Sequence, residues 1–228
     1  MFGESWKNLA AFRLQNIAWL SPNTSAAGIL ERCMILPPTV LTVALPTLLA
    51  FNGLLGRTAF AADEARLLDL DGRAANPFKC KAKLIAFIFV RTDCPISNSY
   101  APEIRRLDER FAKDGAAFWL VYPSEDELPA AIRRHLSEFS FPCGALRDPR
   151  HVFAQRSKVQ VTPEAAIFRP DGTLVYSGRI DDRYADFGKA KPEATRHELA
   201  EALALALEGK LAPPAAGPAI GCFIEDVK

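Results

Sequence analysis

Cys94 is the residue of this sequence best placed to take part in chemistry, because it stands between two contrasting stretches. Residues 84–90 before it are all apolar, whereas after Pro95 apolar side chains recur at helical spacing. A thiol at a helix start faces unpaired backbone N–H groups and the positive end of the helix dipole, which can lower its pKa from about 8.5 to about 3.5–7.5. The pattern predicts an accessible, partly ionised nucleophile at Cys94, with the charge of Asp93 opposing its ionisation.

The elements around Cys94 are predicted to place it at the end of a sheet strand. Seven successive apolar residues, 84–90, indicate a strand buried on both faces. The apolar positions of the following helix are Tyr100, Ile104, Leu107 and Phe111. Residues 116–122 indicate a second buried strand, which completes a β-α-β unit. Open sheets of this class bind ligands at the carboxyl ends of their strands, so we favour a reactive Cys94 over a small buried hydrophobe.

Three further helices are predicted from their start signals. Ser124 with Glu127, and Thr195 with Glu198, have the spacing of a capping box. Asp148-Pro149 places an N-cap acid before a proline at the first helical position. Helices are therefore expected from residues 124, 148 and 195 onward.

The remaining segments are predicted to be strands and connections. Leu67 and Leu68 before a turn suggest a short first strand, and residues 159–168 and 173–178 flank a turn as in a hairpin. Residues 180–194 form a polar connection, which we interpret as solvated. The stretch 211–221 contains three prolines and is expected to be extended.

The segment Asp93-Cys94-Pro95 resembles the active-site loop of the thioredoxin superfamily. In that superfamily a buried strand delivers a Cys-x-x-Cys motif to a helix start, and a proline kinks the helix further along. Cys94 matches the first cysteine and Pro102 matches the kink, but Ser97 stands at the second cysteine. The resemblance therefore implies a single motif cysteine and excludes a disulfide within the motif.

Thr162-Pro163 carries the second part of this resemblance. Taken alone, Pro163 would be an ordinary strand-entry proline. In thioredoxin-like proteins a cis-proline precedes a strand and lies beside the active cysteine, and a cis X–Pro bond costs only about 0.5–1 kcal/mol. The resemblance implies that the Thr162 backbone pairs with an extended partner beside the sulfur.

The order of predicted elements resembles redoxins of the alkyl hydroperoxide reductase and thiol-specific antioxidant type. It implies an α/β class with a thioredoxin-like fold, a central mixed sheet flanked by helices. Exported redoxins with one Asp-Cys-Pro and a Gly-Cys near the C-terminus are most similar, and Gly221-Cys222 matches the latter. We expect Cys222 to resolve the intermediate on Cys94. Cys80 and Cys143 could form a structural bridge, although four cysteines allow three pairings.

Thiol–disulfide exchange is the function that these residues favour, with Cys94, Cys222, Thr162 and Pro163 as site residues. The expected partners are protein or small-molecule disulfides and an unidentified thiol reductant, without a cofactor or metal. The alternative is a thiol peroxidase acting on peroxides. That family places threonine three residues before the cysteine, where this sequence has Arg91. Arg91 or Arg179 would then have to stabilise the thiolate.

A non-catalytic metal carrier on the same fold is the second alternative. Copper carriers of that kind use two cysteines four residues apart and a histidine. Asn98 stands at the second cysteine position, which weighs against this function. The three histidines fall on predicted helices and are interpreted as surface or core residues: His135, His151 and His197.

The N-terminal region is predicted to direct export. Residues 34–56 carry no charge and precede Ala59-Phe60-Ala61, an A-x-A cleavage signal. We interpret residues 1–61 as a signal peptide and 62–228 as one redoxin domain with a tail from about residue 210. The alternative to a signal peptide is an uncleaved membrane anchor, with the domain facing outward. A membrane would be involved only in that case. Met34 is an alternative start of the chain. The net charge of +1 provides no basic surface for nucleic acid.

Overall fold

The computed structural model describes residues 67–225, so the predicted signal peptide or anchor, 1–61, lies outside the described part. Its strands are β1 (Leu67–Leu68), β2 (Ala74–Ala75), β3 (Leu84–Phe89), β4 (Ala116–Tyr122), β5 (Gly144–Arg147), β6 (Val161–Thr162), β7 (Glu164–Phe168), β8 (Leu174–Gly178), β9 (Tyr184–Asp186), β10 (Lys189–Ala190) and β11 (Cys222–Phe223). Its helices are α1 (Pro95–Ser99), α2 (Ala101–Phe111), α3 (Pro129–Glu138), α4 (Val152–Ser157) and α5 (Glu198–Leu207). None of the helices between residues 67 and 225 is long and apolar enough to cross a bilayer.

Seven strands form one mixed sheet in the order β2-β1-β5-β4-β3-β7-β8. Strand β3 is parallel to β4 and antiparallel to β7, and β4 is parallel to β5. Every residue of β3 is buried, as its unbroken apolar sequence predicts for a central strand. The expected fold class, a mixed sheet flanked by helices, is confirmed.

Each face of the sheet supports a separate hydrophobic cluster, since successive side chains of a strand point to opposite faces. Leu84, Ala86 and Ile88 of β3 belong to the first cluster, with residues of α2 and α5. Ile85, Phe87 and Phe89 belong to the second, where the rings of Phe87 and Phe153 lie 4.7 Å apart. Cys94 follows the end of β3, where the chain leaves the sheet between these two clusters.

The predicted kink after Cys94 is present. Helix α1 ends at Ser99, Tyr100 caps both helices, and Pro102 occupies the first turn of α2. A proline is tolerated in a first turn because the N–H it lacks would have no partner within the helix. The short α1 therefore forms a separate turn that carries the cysteine motif.

The predicted capping box at Ser124 and Glu127 is wrong. Helix α3 begins at Pro129 with Leu128 at its N-cap. A residue that precedes proline is disfavoured in helical geometry, so a helix could not run from Ser124 through Leu128. The carboxylate of Glu127 instead accepts a hydrogen bond from the Thr92 N–H at 2.6 Å.

The other two predicted helix starts are also displaced. Helix α4 begins at Val152 after His151, although Asp148 still accepts a hydrogen bond from the Ala154 N–H at 2.8 Å. Helix α5 begins at Glu198 itself. The Thr195 hydroxyl donates a hydrogen bond to the carboxylate of Asp182 instead. The side chain that was expected to cap α5 is therefore engaged in a tertiary contact.

Some of the strand structure was not predicted. Strand β5 was not expected, because its four residues are too few to show a pattern. Gly144 begins it, and a side chain there would overlap the ring of Trp119. The polar connection 180–194 contains the small antiparallel pair β9 and β10.

Candidate functional site

Cys94 is the N-cap residue of α1, as its position before Pro95 predicts. Its thiol donates a hydrogen bond to the carbonyl oxygen of Thr162 at 3.2 Å, and the Ser97 N–H donates to its sulfur at 3.5 Å. The expectation of an accessible thiol is wrong, because Cys94 is 0% exposed. The helix-start geometry is present, but another part of the chain covers the sulfur.

Thr162 and Pro163 are joined by a cis peptide bond, as the resemblance led us to expect. Thr162 ends β6, and Pro163 precedes β7, which pairs antiparallel with β3. This pairing brings the Thr162 carbonyl beside the sulfur of Cys94. Two predicted site residues from distant parts of the sequence therefore meet Cys94.

The C-terminal tail covers Cys94. Strand β11 pairs antiparallel with β6, with Cys222 opposite Thr162 and Phe223 opposite Val161. The sulfurs of Cys222 and Cys94 lie 2.8 Å apart, and the Cys222 thiol is the donor. The structure thus brings together all four residues predicted for the site, and their catalytic roles stay predictions.

The predicted alternative bridge between Cys80 and Cys143 is wrong. Both are buried free thiols. Cys80 belongs to the hydrophobic cluster on one face of the sheet and Cys143 to the cluster on the other, so the sheet separates them. Burial raises the pKa of the Cys143 thiol well above its usual range. Such a thiol is unreactive, because the thiolate is the nucleophilic form.

The two sulfurs at the site have opposite pKa shifts. Burial alone would raise the pKa of Cys94, but hydrogen bonds from the Cys222 thiol and from Ser97 outweigh burial and lower it below the ordinary value. Burial, together with the hydrogen bond to Cys94 and the negative charge there, raises the pKa of Cys222 to about 12. These shifts favour ionisation of Cys94 over ionisation of Cys222, whose thiol donates a hydrogen bond to the Cys94 sulfur.

The two arginines considered as thiolate stabilisers are engaged elsewhere. Arg91 donates two hydrogen bonds of 3.0 Å to the Asp93 carboxylate. Arg179 forms an ion pair with Glu198, close to α5. The idea that either arginine stabilises the thiolate of Cys94 is not supported, since hydrogen bonds lower the pKa of that thiol. The charge of Arg91 acts on Cys222 instead, where it opposes the rise in pKa.

A chain of polar contacts braces the motif loop and was missed from the sequence. Tyr122 and the Nδ1 atom of His135 lie 2.9 Å apart, and His135 Nε2 lies 2.8 Å from the side-chain oxygen of Asn98. The Asn98 amide donates to the Thr92 carbonyl at 3.2 Å, and the Thr92 N–H donates to Glu127. The buried polar network thus connects α3 to the residues just before Cys94.

The sequence contained one signal for this network. His135 falls on the apolar face of a predicted helix, and a buried histidine needs partners for its polar atoms. Asn98 gave no signal, because polar residues are common in the first helix after a motif loop. Within residues 67–225, no group of three or more His, Cys, Asp or Glu side chains could hold a metal ion.

No known family model matches this sequence, and no curated protein does either. An uncharacterized conserved protein from Geobacillus kaustophilus is 25% identical, with a TM-score of 0.60 over 70% of this chain and 86% of that chain. A hypothetical protein from Sinorhizobium meliloti is 22% identical, with a TM-score of 0.61 over 70% of this chain and 89% of that chain. A secreted Mycobacterium tuberculosis disulfide oxidoreductase homologous to E. coli DsbE is 20% identical, with a TM-score of 0.45 over 62% of this chain and 95% of that chain.

The topology agrees with these similarities in fold. The core has β3 between parallel β4 and antiparallel β7, with β8 completing the hairpin. A cysteine begins the kinked helix after β3, and a cis-proline precedes β7 beside it. The chain therefore has a thioredoxin-like fold, a central mixed sheet flanked by helices.

Proposed function

We propose that this chain is a thiol–disulfide oxidoreductase in which Cys94 is the nucleophile and Cys222 is the resolving cysteine. The observation that carries the proposal is the 2.8 Å contact between the two sulfurs. Their opposite pKa shifts support it, because the ionised thiol is the attacking partner in exchange and the protonated thiol is inert until its charge state changes.

In the first step the Cys94 thiolate attacks one sulfur of a partner disulfide. A bond forms between Cys94 and that sulfur, the partner's S–S bond breaks, and the other partner sulfur leaves as a thiolate. The Thr162 carbonyl oxygen lies 3.2 Å from the sulfur, so the nucleophile stands beside the backbone edge of β6. An extended partner polypeptide can pair with that edge.

In the second step Cys222 resolves the mixed disulfide. Once Cys94 is in a disulfide, it carries no negative charge and no longer accepts a hydrogen bond from Cys222. Both effects raised the pKa of Cys222, so its pKa falls and it ionises more readily. Its thiolate attacks Cys94 and releases the partner's second thiol. The partner disulfide gains two electrons and two protons, and Cys94 and Cys222 end as a disulfide.

The cycle requires an external thiol reductant to restore the two thiols. The partners proposed are therefore protein or small-molecule disulfides on one side and a thiol reductant on the other. Export fits this chemistry, because disulfides persist outside the cytoplasm. The A-x-A signal at Ala59-Phe60-Ala61 supports an extracytoplasmic location.

Disulfides are favoured over peroxides as oxidants. A thiol peroxidase of the resembling family would have threonine at position 91, where this chain has Arg91 paired with Asp93. The pKa of Cys94 is lowered by donors from Cys222 and Ser97 rather than by an arginine. The two oxidants can be compared directly on the same reduced protein.

The test mixes the reduced full-length chain with a small disulfide or with hydrogen peroxide at equal concentration and follows the products by acid quench and mass spectrometry. We expect faster oxidation by the disulfide, no reaction at position 94 in Cys94→Ser, and a trapped mixed disulfide on Cys94 in Cys222→Ser. Cys80→Ala is the matched control and should react like the wild type. Faster oxidation by peroxide, or a mixed disulfide on another cysteine, would overturn the proposal.

A further inference from the structure

The C-terminal strand is held on the body of the protein by very few backbone contacts. Strand β11 has two residues, paired with Val161 and Thr162. One flanking hydrogen bond joins the Ile224 N–H to the Gln160 carbonyl at 2.9 Å. The segment before it, 211–221, forms neither helix nor strand. Because each backbone hydrogen bond contributes only modestly in water, side-chain contacts must determine how firmly the tail stays docked.

Ile224 is the side chain that buries the tail. It is 4% exposed and belongs to the hydrophobic cluster that contains Phe89 and Val159. Its neighbour Phe223 is 76% exposed, on the opposite side of the strand. Ala212, Ala215 and Ile220 are only partly buried against the other cluster, so Ile224 is the most deeply buried apolar anchor near Cys222, and its exposed aromatic neighbour contributes little to docking.

Gly221 permits the close approach of the tail on the other side of Cys222. A Cβ atom at this position would overlap the carbonyl group of Thr162 and lie 3.1 Å from the nitrogen of Pro163. These are backbone atoms at the junction of β6 and β7, and β7 is paired with β3 in the main sheet. A larger residue would therefore push the tail away from β6 rather than displace its neighbour.

We propose that Gly221 and Ile224 are positioning residues for Cys94: together they dock the tail as a strand, which places the Cys222 thiol on the Cys94 sulfur and closes the site. The docked tail places the Cys222 sulfur against that of the fully buried Cys94 and provides a hydrogen bond that favours the Cys94 thiolate. An extended partner needs the same edge at Thr162, so the tail must leave before such a partner can pair there. Docking again after the attack returns Cys222 to Cys94.

The consequence for turnover rests on the proposed function, but the docking itself can be measured without any exchange reaction. The assay is alkylation of the reduced full-length chain by iodoacetamide and by a bulky maleimide across a range of pH, with modification at Cys94 located by mass spectrometry. The bulky reagent reports access, and the midpoint of the pH profile reports the pKa of Cys94.

Ile224→Ala and Gly221→Ala are the test variants, and Phe223→Ala and Ile224→Val are the controls. We expect both test variants to accelerate modification of Cys94 by the maleimide on the order of tenfold and to move the pH midpoint upward. Phe223→Ala should behave like the wild type, and Ile224→Val should restore most of the closed behaviour. Circular dichroism of each variant verifies that the domain is folded.

Gly221→Ala separates docking from core packing, because it adds an atom at the strand edge and removes none from the hydrophobic cluster. If Gly221→Ala and Ile224→Ala match Phe223→Ala in both access and pH midpoint, the proposal is overturned. If they differ as expected while neither oxidant reacts at Cys94, the docking inference holds and the proposed exchange function fails.

Discussion

Cys222 lies directly opposite Thr162 in an antiparallel pair, and this register places the Cys222 thiol against the sulfur of Cys94. The helix start supplies one donor, the Ser97 N–H at 3.5 Å from the sulfur, whereas the Cys222 thiol lies at 2.8 Å. Among the contacts that lower the pKa of Cys94, the hydrogen bond from the Cys222 side chain is the largest. The lowered pKa of this thiol thus depends on a residue far away in the sequence.

Replacing Cys222 with alanine should raise the pKa of Cys94, because the replacement removes that donor. Cys222→Ser retains a hydroxyl donor and should keep the pKa closer to that of the wild type. The ultraviolet absorbance of the thiolate, followed during a pH titration of the reduced protein, measures both. An equal pKa in Cys222→Ala and the wild type would show that the helix start alone ionises Cys94.

Replacing Cys94 with serine should abolish disulfide reduction, and any peroxidase activity, while the protein remains folded. A hydroxyl at this position is a far weaker nucleophile than the thiolate that the site favours. Turnover with a model disulfide and a thiol reductant measures the loss. Cys143→Ala is a suitable control, since its thiol is buried in the connection before β5 and burial raises its pKa. Unchanged turnover in Cys94→Ser would exclude Cys94 as the nucleophile.

The oxidised protein should contain a Cys94–Cys222 disulfide and retain free thiols at Cys80 and Cys143. The 2.8 Å contact requires only a small movement to reach a covalent S–S distance of about 2.05 Å. Peptide mapping under non-reducing conditions, after blocking of free thiols, identifies the link. A map that shows both residues free, or either one paired elsewhere, would contradict this prediction.

The sequence was sufficient to predict the elements that carry Cys94. The unbroken apolar runs of β3 and β4 predicted two central strands, and the resemblance at Pro102 implied the kinked helix. The capping-box patterns, in contrast, predicted the wrong helix starts at residues 124 and 195. Capping boxes are local signals, and Glu127 and Thr195 bind partners on other elements instead.

The burial of Cys94 could not be predicted from its local sequence. Its exposure depends on strand β11, which has two residues and no recognisable pattern. The stretch 211–221 was expected only to be extended, and the anchoring of the tail at Ile224 depends on a cluster built from distant strands. Local patterns identified the chemical group, whereas tertiary pairing determines its accessibility.

Removing either partner of His135 should destabilise the domain. Asn98→Ala leaves the Nε2 atom of His135 without its 2.8 Å contact, and Tyr122→Phe removes the 2.9 Å contact to Nδ1. A buried polar atom left unpaired costs about 1–3 kcal/mol. Urea unfolding monitored by circular dichroism measures the free energy of unfolding. Asn98→Ala should also loosen the loop at Thr92, which Tyr122→Phe should not.

Asp148 should make the stability of the domain depend on pH in mildly acid solution. Burial raises the pKa of its carboxyl group from 3.8 to about 6, although the N–H of Ala154 bonds to it. The native state therefore holds this proton more tightly than the unfolded state. The contribution of the neutral acid is fully present below about pH 4 and is lost as the pH rises through about 6, by on the order of 3 kcal/mol.

Asp148→Asn tests that prediction, because an amide keeps an oxygen for the Ala154 N–H and carries no charge at any pH. Urea unfolding of both proteins at pH 4 and pH 7 gives the free energies of unfolding. For each protein we compare the change in the free energy of unfolding between pH 4 and pH 7. Any destabilisation by the amide that does not depend on pH cancels in this comparison. Relative to the wild type, the variant should gain stability between pH 4 and pH 7, since only the wild type must ionise a buried group. An equal change in both proteins would show that Asp148 ionises in the folded state as readily as in the unfolded chain.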